Sequence, residues 1–324
     1  MDLPADLRTA LDDALSAPVA DLSAAVAGLI TRYRANHPAG PEVILERPVD
    51  VLAYAAYRMP ATYAAVRAAL VQVARAAPAL DPRSLVDLGG GTGAASWAAT
   101  DAFTGLRDVV VHDQVPHALE LGRRLAASRP ALHGARWERW LAPAPVPGAD
   151  LVTISYVLGE LAEESQQALL AGVAAGAGAV LVVEPGTPAG FARVRSAREA
   201  LRDAGLRIVA PCPHEVACPV AAPDWCHFAV RVNRSSLHRR VKGATLGYED
   251  EKFSYVCAVR SSEPAHAVSR VLRHPVKRKG LVQLRLCTPQ GQAVDELVAK
   301  RAAQRYRAAR DIAWGDAWPV DLPR

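Results

Sequence analysis

The sequence predicts an α/β fold: a doubly wound, mostly parallel sheet preceded by N-terminal helices and followed by a small C-terminal β appendage. Three observations predict it. From Ser84 onward, short apolar runs alternate with helical segments, the pattern of a parallel sheet covered on both faces. The stretch before it is rich in Ala and Leu at three- and four-residue spacing, without β-branched alternation. Beyond Ser261 short β-type runs return, now separated by basic and glycine turns.

Taken in order, residues 5–35 and 48–77 read as helices. Pro60, inside AAYRMPATYAAVRAAL, divides the second stretch and serves as an early residue of the helix that follows. Composition shifts at APALDPRS. Then SLVDLGGGTG, ASWAATDAF and DVVVHD read as strand, glycine loop, helix and strand. DLVTISY and AVLVVEP are buried strands flanking the helical EESQQALLAGVAAG. FAVRV and FSYVCAV supply late strands, expected as an antiparallel edge pair. VSRVLRHP, KRKG, LVQLRLC and TPQGQ read as strand, basic turn, strand and glycine turn. The expected division is an N-terminal helical region (1–78), a Rossmann-like domain (79–262) with a Cys-rich loop (208–228), and a basic β extension (263–324).

Of the 324 residues, 51% are apolar and 22% charged, enough for a real core. No uncharged apolar stretch reaches the length of a membrane span, so no membrane partner is expected. The start, MDLPADLRTALDDALS, is acidic and lacks the features of a secretory signal, and its low Arg content argues against a transit peptide. Arg-over-Lys and Ala-rich usage suits a GC-rich bacterial genome, and the expected compartment is the bacterial cytoplasm, with a monomer as the expected state. Thiols stay reduced there, and clustered cysteines more often mean metal than disulfide. Charge is divided unevenly. Residues 1–226 carry a net −5, residues 227–310 a net +12, and the tail −2. Such an excess points to a polyanionic partner. Arg231, Arg234, Arg239, Arg240 and Lys242 form one basic cluster, and Lys277, Arg278 and Lys279 cap a predicted hairpin.

Asp87-Leu-Gly89-Gly-Gly91-Thr-Gly93 follows a strand and opens a helix. Glycine allows close approach of backbone to ligand, and the helix start offers free N–H groups. Asp113 lies 20 residues past Gly93 at the end of the next strand, where an acid can take both ribose hydroxyls. Gly89-x-Gly91-x-x-Ala94 also fits a dinucleotide fingerprint. The acid two before the first glycine and the alternating glycines favour S-adenosylmethionine, because D-x-G-x-G-x-G resembles the first motif of class I methyltransferases. After DLVTISY, where amino-directed methyltransferases carry Asn/Asp-Pro-Pro-aromatic, the text is Ile154-Ser-Tyr-Val-Leu-Gly-Glu-Leu. Tyr156 and Glu160 are the polar residues there; Tyr156 is a candidate cofactor contact, and no catalytic base is identified.

All five cysteines follow residue 211. Cys212, Cys218 and Cys226 are packed into one Pro-rich stretch, and Cys257 and Cys287 compete as a fourth ligand. In FSYVCAV both faces are apolar, which suits Cys257 as a small core residue. In LVQLRLC, Cys287 shares a face with Gln283 and Arg285, which makes it the fourth ligand. No short Cys-x2–4-Cys knuckle is present, so irregular spacing on proline loops favours an iron–sulfur cluster over zinc. Free or catalytic thiols remain the other option, since Pro211-Cys212 matches the nucleophile dipeptide of cytosine-C5 methyltransferases. His214 and His227 adjoin the thiols.

The segments RMPATYAAV, LVDLGGGTGAASWAA, SYVLGEL, VEPGTPAGF, APCPHEVACP, DWCHFAVRVNRS, YEDEKFSYV and LCTPQG span nearly the whole chain. In them the sequence resembles the small-ribosomal-subunit assembly-factor family of methyltransferase-like protein 17 and its bacterial relatives. The resemblance implies a class I methyltransferase-like fold and a four-iron–four-sulfur cluster on cysteines matching Cys212, Cys218, Cys226 and Cys287. It also implies association with small-subunit ribosomal RNA and the assembling small subunit. Three functions follow: an assembly factor docking on RNA, an active S-adenosylmethionine-dependent rRNA methyltransferase, and a radical or redox enzyme. The last needs a tight Cys-x3-Cys-x2-Cys motif that this spacing lacks.

Overall fold

The computed structural model describes residues 1–15, 17–34, 45, 47–142, 144–260 and 268–318. Four helices come first: α1 (Ala5–Ala14), α2 (Val19–Arg34), α3 (Pro48–Tyr57) and α4 (Met59–Ala76). Pro60 stands in the first turn of α4, where its missing N–H costs nothing. The stretch read as 5–35 is two helices, the second opening directly after Pro18.

The alternating part follows as β1 (Ser84–Leu88), α5 (Ala94–Ala102), β2 (Asp108–Asp113), α6 (Pro116–Ala126), β3 (Arg136–Arg139), β4 (Ala149–Ser155), α7 (Glu163–Gly176), β5 (Ala177–Pro185), α8 (Pro188–Asp203) and β6 (Arg207–Ala210). Next come β7 (Phe228–Asn233), α9 (Ser236–Lys242) and β8 (Tyr248–Val259). The sheet runs β3-β2-β1-β4-β5-β8-β6, with β7 also on β8. β1 to β5 are parallel and β8 is antiparallel to β5. This is the strand order of the class I methyltransferase-like fold expected from the sequence. β7 and β8 pair antiparallel as expected, but β8 is not an edge. One half pairs with β7, the other with β6, and β5 lies along its other side.

Both sheet faces are covered, which is why the strands read as continuous apolar runs. In β5, Ala179, Leu181 and Val183 face the layer built by α4 to α6, while Val180 and Val182 face that of α7 and α8. Cys257 is fully buried in β8 among the first set. The strand order reverses between β1 and β4, so the crevice for a ligand opens at their carboxyl ends, where the glycine loop lies.

The appendage holds β9 (Ser269–Val271), β10 (Val276–Arg278), β11 (Leu281–Cys287), β12 (Ala293–Ala299), α10 (Ala303–Asp311) and β13 (Ala317–Trp318). It is a five-stranded antiparallel sheet with its own small core of Val271, Val282, Leu284, Leu286, Val298 and Trp318. The boundary expected at 262–263 lies outside the described residues. No single helix among them is long and apolar enough to cross a membrane.

Candidate functional site

The glycine loop sits on a web of internal hydrogen bonds. Asp87, fully buried at the end of β1, accepts from the Ser96 N–H (3.1 Å) and hydroxyl (2.8 Å) and from the Thr153 hydroxyl (2.8 Å). Burial pushes its carboxyl up to about 6. The bonds of Asp87 tie the loop to α5 and β4 from behind. Asp113 accepts from the N–H groups of Gly91 and Val115, each at 2.8 Å. The carboxylate keeps acceptor capacity for a ligand. Gly89 and Gly91 both have positive φ, but for different surroundings. A Cβ on Gly89 would stand 2.3 Å from Val157, whereas one on Gly91 would meet only Asp113, at 3.6 Å. Gly91 is therefore the open side of the loop.

Tyr156 follows β4 in the left-handed region, φ +63°, a strained conformation for a non-glycine residue. Its hydroxyl donates to Glu251 (2.9 Å), and Arg58 forks onto the same carboxylate at 2.7 and 2.9 Å with its guanidinium 4.8 Å above the Tyr156 ring. Burial, then the Glu251 charge, holds the phenol far above its usual range, so Tyr156 keeps its proton. Glu160 is pushed up to about 7 by burial, then by Asp113 and Glu184. Glu184 itself is buried against Arg193 (2.7 Å) and the Leu158 N–H (3.0 Å). Arg58, Glu251, Glu184 and Arg193 escaped the sequence reading.

The second region is the seam between body and appendage. Cys212, Cys218, Cys226 and Cys287 line one cavity together with Arg198 and Arg270. All are free thiols. Cys287 is buried against Phe191, Val220 and Leu272, so its side of β11 faces the body rather than water. Burial pushes Cys287 up to about 12 and raises Cys212 and Cys226; at Cys226 the other three thiols add to the effect. His214 lies between the Val216 carbonyl (3.1 Å) and Cys287 Sγ (3.3 Å). The carbonyl only accepts, so Nδ1 carries the hydrogen of the neutral ring and Nε2 faces the thiol as acceptor. Gly291, at φ +73°, lets the TPQG turn reach this loop, where a Cβ would stand 2.2 Å from Val216. His227 instead stacks on Trp225, with ring centroids 5.0 Å apart. Among the described residues no three His, Cys, Asp or Glu side chains are grouped tightly enough to hold a single metal ion.

The two predicted basic clusters differ. On β7 and α9, Arg231 pairs with Asp250 (2.9 Å), Arg234 with Glu249 (2.7 Å), and Lys242 with Glu249. Only Arg239 and Arg240 of that cluster lack a carboxylate partner among the described residues. Lys277 and Arg278 lie in β10, which forms inside the stretch read as a basic turn, and with Lys279 in the turn after it they are exposed without such a partner among the described residues. The Lys300 N–H donates to the Gly280 carbonyl (2.8 Å), which brings Lys300 and Arg301 beside that turn.

A profile of the family described as mitochondrial small ribosomal subunit Rsm22 matches residues 48–319. The human mitochondrial ribosome assembly protein METTL17 is 30% identical over 292 residues, covering 84% of this chain and 63% of that protein. Rsm22-cox11 tandem protein 2 of Schizosaccharomyces pombe is 23% identical over 186 residues, 44% of this chain and 25% of that one. The chain thus spans less than two thirds of the length of these relatives. Among solved structures, magnesium protoporphyrin IX methyltransferase from Synechocystis superposes with a TM-score of 0.41 at 14% identity, over 72% of this chain and 94% of that one. The family match takes in the glycine loop, all five cysteines and the appendage, and the chain belongs to the mitochondrial small ribosomal subunit Rsm22 family.

Proposed function

We propose that this chain serves small-ribosomal-subunit assembly by docking on ribosomal RNA. In this reading the appendage makes the contact, a four-iron–four-sulfur cluster braces the seam behind it, and the glycine loop binds S-adenosylmethionine. The observation that carries the reading is the convergence of four thiols on one cavity between body and appendage. A lone zinc ion gathers four sulfurs about 2.3 Å from one centre. A cubane cluster spreads its thiolates over four irons and needs them farther apart. Four thiols on one cavity supply one thiolate for each iron of such a cluster. When bound, the cluster supplies four strong iron–thiolate bonds that join the 212–226 loop to β11. Because burial keeps Cys212, Cys226 and Cys287 protonated, binding must release protons and is coupled to folding.

Family membership and the human relative's role as a ribosome assembly protein support the ribosomal half of the proposal. The unpaired cations of the β10–β11 turn, with Lys300 and Arg301 beside them, support RNA as the partner. For S-adenosylmethionine, the support is the open face of Gly91 next to Asp113. Purifying the tagged protein after crosslinking in cells and sequencing the attached RNA tests the reading. Enrichment of small-subunit ribosomal RNA is expected; crosslinks spread evenly over cellular RNA contradict it. Loss of one methylated rRNA nucleotide on deletion of the gene, restored only by a variant that binds S-adenosylmethionine, would turn the proposal into an rRNA methyltransferase.

A further inference from the structure

Two buried guanidiniums face the cysteine cavity, and neither meets a carboxylate among the described residues. Arg198, on α8, is 2% exposed. Its Nη2 donates to the carbonyls of His214 (2.9 Å) and Val216 (2.8 Å), while Nε and Nη1 have no hydrogen-bond partner among the described residues. Arg270, on β9, is 6% exposed. It donates to the Pro211 carbonyl (3.0 Å), the Gln72 side chain (2.8 Å) and the Gly315 carbonyl (2.9 Å). Other sheltered arginines in the fold have acids: Arg58 has Glu251, Arg193 has Glu184, and Arg129 has Asp6 and Asp101.

A guanidinium stays charged at any pH the protein meets. Burying it without a counter-charge is strongly unfavourable. Dipoles of carbonyls and one amide ease that cost but add no opposite charge. Arg195 also lines the cavity but is exposed to water, which screens it; the missing charge for the two buried arginines must come from the cavity, whose remaining lining is apolar apart from the thiols and Tyr255. A four-iron–four-sulfur core of charge +2 held by four thiolates carries −2 overall, which matches two arginines.

We propose that Arg198 and Arg270 are the counter-ions of the cluster, fixing an anionic metal–sulfur group in a buried seam and favouring its reduced form. This rests on the reading of the four cysteines as cluster ligands. One electron from dithionite takes the core from +2 to +1 and the whole cluster from −2 to −3, so nearby positive charge favours the added electron. The unpartnered N–H groups of Arg198 are available to sulfur acceptors in the same cavity.

The test compares anaerobically purified full-length wild type with Arg198→Gln, Arg198→Lys and Arg270→Gln. Iron and sulfide are counted, and the reduced cluster is followed by electron paramagnetic resonance during a dithionite titration. At an effective dielectric constant of 20 and roughly 10 Å, one unit charge shifts the equilibrium on the order of tenfold. Each glutamine variant should therefore hold about tenfold less reduced cluster at fixed potential, a midpoint about 59 mV lower for a one-electron couple. Arg198→Lys should stay close to wild type. Glutamine variants with wild-type midpoints overturn the counter-ion role. If Arg198→Gln does not fold, Arg270→Gln and Arg198→Lys still decide, because a shift in the lysine variant as large as in Arg270→Gln overturns the charge argument. Wild-type protein with zinc and no sulfide overturns the cluster reading and this inference with it. A wild-type cluster with unshifted variants overturns this inference alone.

Discussion

The glycine loop and the cysteine cavity treat buried charge in opposite ways. Around the loop, Asp87, Asp113 and Glu184 all accept from nearby protein groups, and Arg58 and Arg193 each meet an acid. At the cavity, two buried arginines beside four thiols meet no acid among the described residues. A site whose charges are already paired can fold first and bind later. A site with unmet charge depends on its occupant for stability. The loop is therefore expected to be an optional ligand site, and the seam an obligatory one.

The largest effect expected from this difference follows loss of a cavity thiol. Cys226→Ser should abolish iron binding and raise amide exchange across β9 and β11, while Cys257→Ser, in the sheet core, should keep the iron. Mass spectrometry of exchange and metal analysis on both variants check it; equal iron in both would erase the distinction between the two cysteines.

Next in size, Asp113→Ala should weaken S-adenosylmethionine binding by about ten- to a hundredfold, the value of roughly 1.5–3 kcal/mol for hydrogen bonds to an anionic acceptor. Calorimetry measures it. The same variant should retain its iron, because the loop and the seam are separate; coupled loss of both would break the comparison.

Replacing Lys277, Arg278 and Lys279 together by Gln should flatten the salt dependence of RNA binding by up to about three units of slope. The matching change at Arg231, Arg234 and Lys242 should do much less, because Asp250 and Glu249 already neutralise those side chains. Filter binding over a salt series separates the two clusters.

The smallest expected effect is a pH dependence. Glu160, held up to about 7, is mostly neutral at pH 6 and ionised at pH 8. Ionised Glu160 favours the cationic sulfonium and ammonium of S-adenosylmethionine, so affinity should rise a few-fold over that interval, by electrostatics of partly solvated charges. S-adenosylhomocysteine, which lacks the sulfonium charge, should gain less. The sign for stability is opposite. A carboxyl raised above its unfolded value of 4.5 binds a proton better when folded, so the ligand-free protein should lose stability as pH rises from about 4.5 to 7. Glu160→Gln should remove the affinity trend in calorimetry and reduce the stability trend in thermal melts, leaving the part that the raised Asp87 carboxyl contributes at lower pH.

Local chemistry made much of this legible in advance. Pro60 at a helix start, the glycine loop between β1 and α5, and the β7–β8 pair each carry a signal within a few residues. β3 and β6 do not: each is only four residues long, and RWER shows one buried position. β12, AVDELVA, is blurred as a strand because its faces mix: Asp295 and the exposed Leu297 share one, while Glu296 shares the other with buried Val298 and accepts from Arg305 and Trp318. The sites divide similarly. Three cysteines packed into one stretch announce themselves, whereas Arg58 and Glu251 are 193 residues apart and meet only through the fold. A charge count across 227–310 also sums cations without pairing them. The β7–β8 register sets Arg231 opposite Asp250, so part of the apparent basic surface is already neutral.

What fills the seam is tested most directly by iron and acid-labile sulfide measured on anaerobically purified wild-type protein. About four of each per chain, with a brown absorbance lost together with iron in Cys287→Ser, is the predicted result. Stoichiometric zinc without sulfide, or a stable metal-free protein with both arginines still buried, would contradict it.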